Sequence, residues 1–213
     1  MLDFECLFMI DFPLLLAFIA AATILAVTPG VDTAIVLNTA LSNGKRPALM
    51  AGLGVGLGCL VWGLAVSLGL GAVLKASEQA YTVVKYLGAL YLLWLGIGLI
   101  ARPRSAIASR AISETRRNSR EAFTRGFAVN VLNPKVGLFY VTFLPQFVPA
   151  GADMAIYSLA LACIHILLSL IWFAALIAAT APLGRFLQRP ATIKSLDRIT
   201  GGIFVVFAAR LAS

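Results

Sequence analysis

The sequence predicts an all-α integral membrane protein, with six transmembrane helices in two inverted three-helix repeats and with helices 1 and 4 broken at proline. Three observations carry that expectation. The composition is too apolar for water, six apolar runs alternate with basic loops, and two prolines fall in mid-run at corresponding places. The 213 residues are 61% hydrophobic and 12% charged, with a mean hydropathy of +0.95. A soluble domain is about half apolar and about a quarter charged. Too little polar surface remains to cover a water-soluble core, and runs near the ~20 residues of a spanning helix recur along the chain.

The first apolar run extends from about Phe12 to Leu41 and stops at "SNGKRP". The leading "MLDFECLFMIDFPLLL" carries Asp3, Glu5 and Asp11 where a signal peptide wants a basic start, so the run reads as a retained helix. Met9 offers a second start, which would make residues 1–8 an extension. As one straight helix this run would be roughly 45 Å long, against a hydrocarbon core of about 30 Å. It holds the stretch "ILAVTPGVDTAIVLN", residues 24 to 38. Pro29 removes a backbone donor and clashes with the preceding turn, and Gly30 permits the sharp geometry that follows. Asp32 falls near mid-membrane, where a carboxylate is costly and marks a function.

The second run, about Pro47 to Leu74, includes "MAGLGVGLGCLVWGLAVSLGLG". Its Gly52, Gly54, Gly56, Gly58 and Gly63 suit close helix packing, and the same surface fits a homodimer contact. The third is "YTVVKYLGALYLLWLGIGLI", residues 81–100, with Tyr91 and Trp94 as packing groups. A polar linker, about 101–121, follows. The fourth run, about 122–147, contains "NVLNPKVGLFYVTFLPQF" and so a second mid-span proline, Pro134, beside Asn130, Asn133 and Lys135. The fifth runs from about Asp153 to Ala181 and carries His165, which reads as a hydrogen-bonded packing residue before it reads as a proton relay. The sixth is short, about 199–212.

Positive charge sorts by loop. Lys45 and Arg46 lie after the first span. Arg102, Arg104, Arg110, Arg116, Arg117, Arg120 and Arg125 lie at or beside the linker. Arg185, Arg189, Lys194 and Arg198 lie between the fifth and sixth spans. The opposite side has only Lys75 and Arg210, together with Asp3, Glu5, Asp11, Glu78 and Asp153. The positive-inside rule then places the three basic loops in the cytoplasm and both termini outside. The linker arginines alternate with Ser, Ala and Glu without interleaved aromatics, so they read as an ordinary cytoplasmic loop beside lipid and not as a nucleic-acid surface.

The two proline breaks suggest a repeat. "KYLGALYLLWLG" carries Lys85, Gly88 and Gly96, and "RITGGIFVVFAA" carries Arg198, Gly201 and Ala209 at the same offsets. Trp62 and Trp172 sit comparably downstream of their prolines. Residues 12–100 and 122–212 therefore form one transporter domain of two repeats, and an odd number of spans per repeat inverts the second. Such transporters bind substrate at the broken helices near the midplane.

At these residues the chain resembles a known family. "TPGVD" is similar to the TPGPD signature of the lysine exporter (LysE-type) family. "LNPKVGLFYVTFLPQFV" resembles the fourth-span signature of its threonine/homoserine-exporter-like branch, and "KYLGALYLLWLG" matches the third-span pattern. The resemblance covers nearly the whole chain after Met9. It implies export of amino acids or related metabolites across the bacterial inner membrane, driven by the proton gradient. Val31 departs from the family, which usually has a second proline there. The NPK form of the fourth span argues against the branch that exports lysine and arginine.

The candidate site is Thr28, Pro29, Gly30, Asp32 and Thr33 with Asn130, Asn133, Pro134 and Lys135. The half-helix after Gly30 offers free amides and a positive dipole end to a substrate carboxylate. Thr28 and Thr33 add hydroxyls, Asp32 takes an ammonium group or a coupling proton, and the two asparagines orient a zwitterion. Lys135 needs a partner at that depth, and Asp32 is the best candidate. Two rival readings remain at this point. A metal-cation exporter would use Asp32 as a ligand, but hard cations want several oxygens. A thiol electron carrier would use Cys59 and Cys163, although Cys6, Cys59 and Cys163 lack metal or redox spacing and read as small buried hydrophobes. No resident cofactor, metal or hydrolytic constellation is expected.

Overall fold

The computed structural model describes residues 11–28, 30–104, 118–179 and 189–212. Pro29, most of the linker and the side chains of Pro134 and Lys135 lie outside the described residues. Among the described residues every regular element is helical. The helices are α1 (Phe12–Val27), α2 (Val31–Asn43), α3 (Lys45–Ala76), α4 (Glu78–Ala101), α5 (Ser119–Val131), α6 (Pro134–Phe143), α7 (Met154–Ala178) and α8 (Pro190–Ala212), with a 3-10 turn at Leu144–Phe147.

Local chemistry sets the ends. Asp11 starts α1 by accepting from the Leu14 amide at 3.0 Å, and Pro13 follows in the first turn, where its missing amide costs nothing. Thr28 ends α1 in extended geometry, φ −65° and ψ 119°. Gly30 opens α2 in extended geometry without a side-chain cap. The α1–α2 pair is bent by 50° at this point. Gly44, at φ 89°, turns the chain from α2 directly into α3. Asn118 caps α5 by accepting from the Glu121 amide at 2.9 Å. α5 stops at Val131, and the Asn133 carbonyl starts α6 by accepting from the amides of Val136 and Gly137. Both breaks therefore fall where the prolines predict.

Two boundaries differ from expectation. The last helix begins at Pro190, not near 199, and has 23 residues. Proline is tolerated in a first helical turn, and the acid within the added segment, Asp197, is paired. α5 begins at Ser119, inside the expected linker.

α3 is the centre of the bundle and packs most extensively against α5 and α7, while α4 pairs with α8. The α3–α5 contact has a counterpart in α7–α1, and α3–α6 has one in α7–α2. Glycine makes the closest approaches. A side chain at Gly54 would run into the Phe123 carbonyl, and one at Gly126 into that of Ala51. Gly52, Gly56 and Gly63 face α7 through Phe173, Ile166 and Ala162, so these glycines serve packing inside the chain. Gly96 and Gly201 do the same for α4 and α8, each reaching the other's carbonyl within 2.7 Å of an added Cβ. Arg104 lies further along α4's direction and meets Asp197 further back in α8, so the two helices run antiparallel.

The core is aliphatic and aromatic. Phe18, Phe143, Phe147 and Phe207 form a ring cluster with centroids 4.7–6.4 Å apart. The outside is equally apolar. Leu49, Leu53, Leu57, Val61, Leu64 and Leu68 form an exposed stripe along α3 at helical spacing. Trp94, expected as a packing group with Tyr91, is 69% exposed and packs its ring against that of Tyr91, with centroids 5.8 Å apart. Cys163, expected to be buried, is exposed as well. Segments Lys45–Gly69 and Met154–Ala178 are each long and apolar enough to cross a membrane, and the bent pair Phe12–Val27 with Val31–Asn43 makes a third. An apolar exterior on helices of that length is the surface of a multi-pass membrane protein, with lipid in the place of water.

Candidate functional site

A cavity of about 220 Å³ lies against the first break. Thr28, Gly30, Val31, Asp32 and Thr33 form one wall, and Val55 and Cys59 of α3 another. Asn133, Val136 and Phe139 enter from the second break, and His165, Ser169 and Phe173 from α7. Arg104 completes the lining. The walls are mostly apolar, with a few polar groups facing one another, as in small-molecule sites generally. A cavity of that kind suits a small solute.

Asp32 lies in the first turn of α2, where the helix dipole favours a negative charge. Its Oδ2 accepts from Asn130 Nδ2 at 3.0 Å. A carboxylate only accepts, so this bond fixes which way the Asn130 amide points. Asn130 is fully buried. Its Nδ2 also lies 3.4 Å from Cys59 Sγ, and its side chain fills the space left by Gly58, where an added Cβ would be 2.5 Å from Oδ1. Cys59 is thus a polar neighbour of the site and more than a small hydrophobe. Thr28 donates to the Ile24 carbonyl at 2.7 Å and shares a 2.6 Å hydrogen bond with Thr200 of α8. Its single proton is committed to Ile24, so Thr200 is the donor of that second bond.

His165 borders the cavity. Its Nδ1 shares a hydrogen bond of 2.9 Å with Tyr140 Oη, and its ring rests on Phe139. A hydrogen-bonded packing role is therefore present whatever else it does. Gln146, in the 3-10 turn, donates to the Thr142 carbonyl of α6 at 2.6 Å. Among the described residues, no three of His, Cys, Asp and Glu converge as metal ligands.

Of the residues singled out in the sequence, Thr28, Gly30, Asp32, Thr33 and Asn133 share the cavity wall. Asn130 stands behind it and holds Asp32. Pro29 and the side chains of Pro134 and Lys135 lie outside the described residues, so the expected pairing of Lys135 with Asp32 does too. The sequence reading missed Thr200 and the ion pair of Arg104 with Asp197. Arg104 entered it only as one positive charge among many. The available signal was Asp197 itself, an acid one turn before the Gly201–Gly202 pair.

The model of the family described as LysE type translocator matches residues 23–213. A leucine efflux protein of Enterobacter sp. (strain 638) is 34% identical over 202 residues, covering 92% of this chain and 93% of that protein. A homoserine/homoserine lactone efflux protein of Salmonella typhimurium (strain LT2) is 30% identical over 200 residues, covering 92% and 95%. The uncharacterized membrane protein YrhP of Bacillus subtilis (strain 168) is 32% identical over 203 residues, covering 92% and 97%. No solved structure matches the chain. With the family model spanning all but the first 22 residues, the chain belongs to the LysE type translocator family.

Proposed function

We propose that the chain is a secondary transporter that exports neutral amino acids or related small metabolites across the bacterial inner membrane, by proton-coupled alternating access. The observation that carries the reading is Asp32: a carboxylate at a helix break, in the wall of a small and mostly apolar cavity. The relatives named for leucine efflux and for homoserine/homoserine lactone efflux support the substrate class. The LysE type translocator family and the efflux relatives favour a transporter over an enzyme.

In this reading the amides at the start of α2 receive a substrate carboxylate, because Gly30 supplies no side-chain cap to occupy them. Asp32 takes the ammonium group or the coupling proton. Asn133 and Thr33 orient the zwitterion from the cavity wall, and Asn130 steadies Asp32 from behind it. Thr28 lines the wall with its hydroxyl held by Ile24 and Thr200, and Lys135 answers Asp32 from the second break. The membrane arrangement proposed is six spans with the basic loops in the cytoplasm and both termini outside. Repeat one is about 12–100 and repeat two about 122–212. The antiparallel run of α4 and α8, and the matching of α3–α5 with α7–α1, support an inverted pair. Any homodimer forms through a face other than the glycines of α3 that already face α5 and α7.

The test is efflux from cells preloaded with a panel of dipeptides, comparing wild type with Asp32→Asn at two external pH values. Faster release of one neutral amino acid, lost in the variant together with its pH dependence, is the expected result. Release that ignores both the protein and the variant would reopen the metal and thiol readings.

A further inference from the structure

The cavity has a second charged group that neither break supplies. Arg104 follows α4, and its guanidinium meets Asp197 of α8. Nε donates to Oδ2 at 3.0 Å, Nη2 donates to Oδ1, and the Arg104 backbone amide donates to Oδ2 at 2.9 Å. Asp197 is completely buried, while the Arg104 side chain keeps 32% of its surface. The remaining surface belongs to a residue that lines the same cavity as Asp32.

The asymmetry of this pair is informative. Three donors converge on the Asp197 carboxylate, all from Arg104. A guanidinium has five N–H donors in a planar fork, and Asp197 engages two. Three stay beyond the reach of Asp197, in a plane that Asp197 fixes. Burying a carboxylate is costly, and apolar residues of similar volume often serve stability as well as a buried pair. A staple between α4 and α8 is also supplied already by Gly96 and Gly201. That glycine contact brings the helices close enough for Asp197 to reach residue 104. What an oriented guanidinium in a cavity wall adds is planar, directional recognition of a carboxylate.

We propose that Arg104, aimed by Asp197, selects the carboxylate of the transported amino acid, whose ammonium group faces Asp32. The inference rests on the exporter reading and assigns the site's second pole. The carboxylate lies between the first amides of α2 and the Arg104 fork. Arg104 touches the substrate, and Asp197 is a positioning residue. A solute that keeps its ammonium but lacks its carboxylate loses this contact, so the pair sets how strongly the transporter prefers an amino acid over its amide.

The experiment uses the purified full-length chain in proteoliposomes and measures counterflow of leucine and homoserine, and of leucinamide and homoserine amide. The variants are Arg104→Gln, Arg104→Lys and Asp197→Asn. A double variant, Arg104→Gln with Asp197→Asn, leaves no buried charge unpaired and guards against a folding failure in the singles. Wild type is expected to favour the acid. Arg104→Gln and the double variant lower the acid-to-amide ratio by about tenfold or more, the scale of one charge-assisted hydrogen bond. Arg104→Lys and Asp197→Asn lower it by a smaller factor, because charge without the aimed fork remains. A ratio unchanged in Arg104→Gln and the double variant overturns the proposal, whether both rates fall together, as for a structural staple, or neither falls. Wild-type liposomes that move no amino acid would instead sink the exporter reading, and that failure appears before any variant is made.

Discussion

The two helix breaks use the same residue types to opposite ends. At the first, Gly30 leaves the start of α2 without a side-chain cap, and Asp32 sits in the cavity wall. At the second, the Asn133 carbonyl takes the amides of Val136 and Gly137, as the Gly30 carbonyl takes that of Ala34 at the first, but Asn130 is withdrawn from the cavity and fully buried. The Asn130 amide, near the end of α5, crosses to the first break and holds Asp32 at 3.0 Å. The first break presents its carboxylate to the cavity, and the second lends that carboxylate a brace. Two breaks of like composition thus differ in what they present.

The comparison can be broken or sharpened by substitution, beginning with the largest expected effect. Asp32→Asn removes the charge at the first break, and counterflow of the transported amino acid should fall by about 10- to 150-fold, the worth of hydrogen bonds to a charged group. Thermal unfolding in detergent should change little. A variant that transports as wild type does would remove the functional distinction between the breaks. Gly54→Ala should destabilise the fold by about 1–3 kcal/mol, since the added methyl meets the α5 backbone and has nowhere to go. Gly98→Ala, with nothing within 4 Å, is the control and should unfold no earlier than wild type. Asn130→Ala takes away the brace and leaves the charge, so transport should drop about five- to tenfold. Asn133→Ala keeps the carbonyl that starts α6 and removes an amide from the cavity wall, so transport should fall about two- to tenfold, the worth of one neutral hydrogen bond. If neither asparagine variant altered transport, the second break would lend the first nothing.

The sequence made the breaks legible because a proline, a glycine and a carboxylate are each costly inside an apolar helix, and together they need a reason. The same logic found Thr28, Thr33 and Asn133, which do share the cavity wall. It also found Asn130, though not that Asn130 would serve the opposite repeat, because that bond joins positions 98 apart. Arg104 and Asp197 were illegible for a different reason. They lie 93 positions apart, and each stands in a segment whose charge is explained well enough by membrane topology. Pairing was the hidden variable, and it also hid the start of α8, whose first two turns read as a loop until Asp197 finds its partner. Cys163 was misplaced because, in lipid, an apolar residue is equally at home inside the bundle and outside it.

The glycine seam of α3 has a consequence for accuracy. Gly54 and Gly126 bring the α3 and α5 backbones to their limit of approach, and one turn along, Gly58 receives the Asn130 amide. At Gly54 and Gly126 the nearest atoms are all backbone, so the seam acts there as a gauge block whose thickness is set by main-chain atoms. The reach of Asn130 to Asp32 is calibrated against it. An error of one methyl group at the seam is transferred to the carboxylate, in a site where half an ångström decides whether a hydrogen bond is made.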